Sequence, residues 1–190
     1  MTTYPKLRDQ HSGTDDGLEA LRPLDVAAAG SVDALVRGMA ATAFGGRNLG
    51  EAAVVFEAMV RDRDCFRVLT ISGAMTIAKQ GLVVCEMIDR GWVQAIVATG
   101  ALMTHGFVEA AGMTHYKHRP SMNDEELFAK GYNRVYDTLE LEQNLDDTEK
   151  IVSAVLDGLP EGTVLASHVI TEALGHHLAA NADGRAILTS

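Results

Sequence analysis

Residues 66–101 read FRVLTISGAMTIAKQGLVVCEMIDRGWVQAIVATGA. Phe66–Ile71 is a short apolar run, and Val93–Ala98 is a second. Runs of this length, rich in Val and Ile and closed by small residues, read as buried strands. The first passes into Ser72-Gly73-Ala74-Met75, and a helical pattern follows to about Arg90, where Gly91 supplies a C-terminal stop. The second breaks at Thr99-Gly100-Ala101, and a further helix starts near Met103. Strand, helix and strand in that order imply parallel strands with a right-handed crossover. The expected class is therefore α/β, a parallel sheet flanked by helices.

Upstream, residues 1–22 are polar and read as a flexible arm, with the folded part running over 23–190. Ser31 is a suitable N-cap for a helix through about Phe44, and Asn48 for the next. In that second helix Leu49, Ala52, Ala53, Phe56, Met59 and Val60 fall on one face. Downstream, the loop from Gly112 to Asn123 carries His115, Tyr116, Lys117, His118 and Arg119. Asn123 then caps a short helix whose first turn is acidic. Asn133–Asp137 reads as a strand, and helices are expected over 144–158 and from about Ala166 to Ala180. Ala186-Ile187-Leu188 looks like a first helical turn.

The chain has 190 residues, enough for one compact domain or a domain with a tail, and 47% of them are hydrophobic. Lys plus Arg is 16 and Asp plus Glu is 26, a formal charge of −10. That balance lacks the basic footprint of a nucleic-acid binder. It suits a cationic small molecule, although acidity also serves solubility. Residues 121–161 hold much of the negative charge and read as a solvated acidic face. Cys65 and Cys85 cannot form a disulfide framework and read as buried thiols. The first twenty residues hold no apolar core of a secretory signal, and no apolar run is long enough to span a membrane. A reducing cytoplasm is the resulting expectation.

In a parallel α/β sheet, ligands bind beyond the carboxyl ends of the strands. Here both ends lead into small residues and a helix start, where backbone can approach a ligand and free N–H groups favour a phosphate. A nucleotide phosphate fits such a place. Tight strand-to-helix turns need small residues too, and neither a G-x-G-x-x-G nor a Walker loop is present. The seven histidines give no metal set by spacing: His115 and His118 share a loop, and His176 and His177 are adjacent. His105 follows Thr104 one turn into a helix that opens at a strand end. There it could orient or deprotonate an amine, or serve a structural hydrogen bond.

Several segments in order carry a resemblance: Phe44–Ala53 (FGGRNLGEAA), Leu69–Met75 (LTISGAM), Val93–His105 (VQAIVATGALMTH), Asn123–Asp137 (NDEELFAKGYNRVYD) and the later LPEGTVLASHVITEALG. From about Leu21 onward the chain resembles deoxyhypusine synthase, and more closely its bacterial deoxyhypusine synthase-like branch. The resemblance implies a Rossmann-like NAD-binding fold, incomplete here, and tetramers with NAD and polyamine sites between paired subunits. It implies NAD-dependent aminobutyl transfer from spermidine to a lysine, through an imine on an active-site lysine. It places NAD on Ser72, Gly73, Ala74 and Met75 and on Thr99, Gly100 and Ala101.

The resemblance also marks two departures. A pair of glutamates that contacts cofactor and polyamine in the eukaryotic enzyme falls on Thr104 and His105. That change removes about two charges attractive to a cation. The acceptor is then a protein lysine or a small amine, as in homospermidine-forming synthases. Further, the chain matches only the amino-terminal half of the family pattern. None of Lys6, Lys79, Lys117, Lys130 and Lys150 sits in the motif of the catalytic lysine. The expectation is a homo-oligomer, or a partner polypeptide carrying the other half, without which the chain is inactive. The other reading is a non-catalytic subunit that binds NAD, polyamine or a homologous chain.

Overall fold

The computed structural model describes residues 11–182 and 184–190. Of the polar arm expected over residues 1–22, residues 1–10 lie outside the described residues, and 11–22 hold turns but neither helix nor strand. The chain divides into two compact units after Cys65.

The first unit contains α1 (Val32–Met39) and α2 (Phe44–Arg61). Ser31 caps α1 as expected, its Oγ accepting from the Ala34 N–H at 3.0 Å. The helix ends at Met39 rather than near Phe44, and α2 begins at Phe44 without a side-chain cap, so Asn48 lies inside it. The break is local: Thr42 donates its hydroxyl to the Met39 carbonyl, and Arg47 Nε donates to the Thr42 carbonyl. These bonds satisfy the helix-end carbonyls that a continued helix would have used. Gly50 lets the two helices meet, because a Cβ there would lie 2.2 Å from the Ala40 nitrogen.

The second unit opens with β1 (Val68–Ile71), α3 (Ala74–Ile77), α4 (Gly81–Asp89), β2 (Ala95–Ala98) and α5 (Ala101–Ala110). The strands pair in parallel, Val68 with Ala95 through Ile71 with Ala98. The helical stretch between them is two helices, not one. Lys79 adopts φ +63°, in the left-handed region, and closes α3. Its N–H and that of Gln80 bond back to the Thr76 and Met75 carbonyls. Gly91, at φ +64°, stops α4 as read from the sequence.

A second sheet was not expected. β3 (Tyr116–Lys117), β4 (Tyr132–Val135) and β5 (Thr138–Leu141) form an antiparallel sheet in the order β3-β5-β4. Between β3 and β4 lies α6 (Asp124–Ala129), capped by Asn123, whose Oδ1 accepts from the Glu126 N–H at 2.8 Å. β5 is the central strand and buries both Leu139 and Glu140. The chain is thus α/β with a parallel pair, as expected, plus this antiparallel sheet.

α7 (Glu142–Asp157) and α8 (Ser167–Asn181) complete the unit. Its core is Phe107 and Ala110 of α5 against Leu174 and Leu178 of α8, lined by Ile151, Val152 and Val155 of α7. Residues 186–190 make a turn, with Thr189 and Ser190 N–H groups donating to the Ala186 carbonyl. Cys85 is fully buried, whereas Cys65 is only half-buried. No helix among the described residues is long and apolar enough to cross a membrane.

Candidate functional site

The two strand-end turns lie side by side because β1 and β2 are paired neighbours. The Gly73 N–H donates to Thr99 Oγ1 at 2.9 Å and ties one turn to the other. Gly73 is buried, and a Cβ there would stand 2.1 Å from the Leu102 nitrogen and 2.4 Å from the Ala101 carbonyl carbon. Its glycine is therefore explained by the packing of one turn on the start of α5. Gly100 differs. A Cβ there would meet nothing within 4 Å, so the space above it is open to a ligand. No side chain caps α5, which leaves its N-terminal dipole available to an anion. Ser72, Ala74, Met75 and Thr99 are exposed around this place, and Ala101 is half-buried.

Thr104 and His105 follow on the first turns of α5. Thr104 Oγ1 reaches back to the Gly100 carbonyl at 3.5 Å. His105 Nδ1 lies 2.7 Å from Glu140 Oε2, and His115 Nε2 lies 3.3 Å from Glu140 Oε1. The register explains the second contact. β3 and β5 pair Tyr116 with Leu139 and Lys117 with Thr138, which sets His115 across from Glu140. Lys79 Nζ stands 3.2 Å from His115 Nδ1 and also pairs with Glu109. Glu140 is only 1% exposed. Burial pushes its carboxyl up, but the neighbouring imidazoles, His115 first, outweigh this and hold it below the ordinary carboxylate value.

These separations are those of ion pairs. His105 Nδ1, His115 Nε2 and Glu140 Oε1 are buried and have no polar partner outside this trio. The same three residues present ligand atoms within 4.8 Å of one another, the donor set of a 2-His-1-carboxylate site. Histidine spacing along the chain could not show this trio, since its members come from α5, the edge of β3 and the middle of β5. Glu140 contradicts its reading as part of a solvated acidic face. Recognising TLEL as a strand would have revealed it, but four residues with one charge give a weak alternation signal.

A cavity of about 340 Å³ opens elsewhere in this unit, lined by Thr76, Lys79, Leu102, Gly106, Arg185 and Leu188 among others. It contains none of Ser72, Thr99, Gly100 or His105. It shares Lys79 and Glu109 with the surroundings of His115 and none of the residues of the strand-end turns.

The sequence model described as deoxyhypusine synthase matches residues 34–190. A probable deoxyhypusine synthase 1 of Methanosarcina acetivorans is 35% identical over 142 residues, 75% of this chain and 45% of that protein. One from Archaeoglobus fulgidus is 36% identical over 118 residues, 62% of this chain and 39% of its own length. A deoxyhypusine synthase-like protein of Chlorobaculum tepidum is 31% identical over 139 residues, 73% of this chain and 40% of that protein. The chain spans less than half the length of each of these relatives.

Proposed function

This chain belongs to the deoxyhypusine synthase family, and from that membership we propose that it forms the NAD- and amine-binding part of a deoxyhypusine synthase-like transferase. The activity is transfer of an aminobutyl group from spermidine or a related polyamine to a lysine or a small-amine acceptor. The observation that carries this reading is the bond from the Gly73 N–H to Thr99 Oγ1. It makes one continuous surface of two small-residue turns at the carboxyl ends of parallel strands. NAD, when bound there, supplies the hydride acceptor that amine oxidation requires. Gly100 and the uncapped start of α5 fit a phosphate, and Ser72 and Thr99 offer hydroxyls beside it. His105 stands at the amine end.

The lysine that carries the transferred group comes from outside these 190 residues. Lys79 is the lysine nearest the site, and it is held by Glu109 and His115. A homo-oligomer or a second polypeptide supplies what this chain lacks. Only two cysteines in 190 residues, Cys65 and Cys85, suit a reducing cytoplasm.

Gly100→Asp tests the reading. The backbone of Gly100, at φ −55°, is ordinary, and a Cβ has room, so the variant should fold. Its carboxylate would oppose the NAD phosphates. Calorimetry with NAD should show binding by the wild-type chain and at least a tenfold loss in the variant. Equal affinity, or no binding by the wild type, overturns the assignment. Binding without transfer, in the presence of spermidine and a second lysine-bearing half, would favour the non-catalytic subunit.

A further inference from the structure

We infer that Lys79, His115 and Glu140 form a relay that fixes the tautomer of His105 and leaves its Nε2 bare, as the base at the amine end of the site. The role toward an amine rests on the polyamine reading above; the relay itself does not.

An imidazole lone pair facing a carboxylate oxygen at 2.7 Å is repulsive. Something positive must lie between each ring nitrogen and Glu140, and the choices are a proton or a metal ion. Lys79 decides between them. Its ammonium has donors only, so His115 Nδ1, 3.2 Å away, must be the acceptor and carry no hydrogen. The hydrogen of neutral His115 then sits on Nε2, facing Glu140 Oε1. A metal on Nε2 would force the hydrogen onto Nδ1, against the ammonium. Metal-binding histidines instead point that second N–H at an acceptor. The separations agree, because ligand atoms sharing a zinc about 2.0–2.1 Å away keep farther apart than 2.7 Å.

With His115 donating to one carboxylate oxygen, the other is left for His105. His105 Nδ1 carries the hydrogen toward Oε2, and Nε2 remains with its lone pair. The side chain is 18% exposed although Nδ1 is buried, so part of it reaches the surface. The carboxylate behind His105 comes from β5. It acts through an imidazole rather than by touching the amine. Lys79 lies at φ +63°, in the left-handed region, and its ammonium is held between Glu109 and His115.

A protonated amine cannot release hydride from its neighbouring carbon until its nitrogen has a lone pair. His105 Nε2 takes that proton, the N–H bond of the ammonium breaks, and its electron pair stays on the amine nitrogen. The imidazolium formed keeps Nδ1–H against the Glu140 carboxylate, which stabilises its charge, as the buried carboxylate does in a catalytic triad. His105 is the catalytic residue; Glu140, His115 and Lys79 are positioning residues.

Nitrogen-15 NMR of the full chain, labelled at its histidines, reads this directly at neutral pH without NAD or amine. His105→Gln and His115→Gln identify the resonances. We expect His105 with a protonated Nδ1 and a bare Nε2, and His115 with the reverse. Glu140→Gln should abolish the single tautomer of His105. Should that variant not fold, Lys79→Met, at a half-exposed side chain, should turn His115 into a tautomer mixture. The opposite tautomer in wild type, no change in either variant, or stoichiometric zinc by elemental analysis of the purified chain overturns the relay. Because no ligand is present, these outcomes are independent of whether NAD binds.

Discussion

A carboxylate buried to 1% exposure between two imidazoles must recover its lost hydration from them, and Glu140 does so. Its folded pKa is lowered, so the stability it contributes is fully present above its ordinary value of 4.5. That contribution disappears as pH falls through the lower folded value. The thermal midpoint of the chain should therefore fall as pH drops below about 4.5, beyond what exposed carboxylates cause. Glu140→Gln, which cannot ionise, should show a shallower slope over that window; parallel slopes would deny Glu140 its role in acid lability. The surface ion pairs will contribute little here. Asp33–Arg37, Glu57–Arg61 and Asp147–Lys150 are exposed pairs on helices, where solvent screens the charges.

At the scale of elements, the strand–turn–helix junctions separate two kinds of glycine. Gly73 is fixed by backbone atoms of Ala101 and Leu102, which cannot rotate away. Gly73→Ala should push α5 off the turn and cost about 3 kcal/mol, by analogy with overpacked cores. Gly100→Ala, in open space at a helical φ, should be neutral or slightly stabilising. Urea unfolding of the two variants checks the contrast, and equal midpoints would refute it. The same junctions show what the sequence made legible. Phe66–Ile71 and Val93–Ala98 were read as parallel strands from short apolar runs, and β1 and β2 lie within them. Ser31 and Asn123 were legible as caps because a short polar side chain before an apolar pattern has a local function. The breaks after Met39 and at Lys79 were not read from the sequence although Gly38 and Gly81 stand beside them; side-chain bonds of Thr42 and Arg47 accompany the first and a left-handed lysine the second. β5 was missed because its charged residue is balanced by histidines from elsewhere in the chain, a pairing invisible to local pattern. Hence the strand-end turns and the position of His105 could be named in advance, while the groups beside His105 could not.

The whole molecule leaves apolar surface open. Among the described residues, β1 and β2 pair only with each other, so each has one edge without a strand. Val97 of β2 is 60% exposed, and Leu82 and Val83 of α4 are exposed as well. Unpaired edges and apolar faces of this kind attract further chain, either as added strand or as a packed layer. The net charge of −10 opposes association over distance, but its effect fades beyond about 10 Å at ordinary salt. We therefore expect the isolated chain to self-associate, with a mass by light scattering that rises with protein and salt concentration. Val97→Lys places a charge on the exposed face of β2 without disturbing the ladder to β1, and it should lower that mass toward the monomer. A wild-type chain that runs as a single monomeric species at all salt concentrations would mean that this surface needs no cover. The case for a second copy or a second polypeptide would then rest on the proposed transferase chemistry alone.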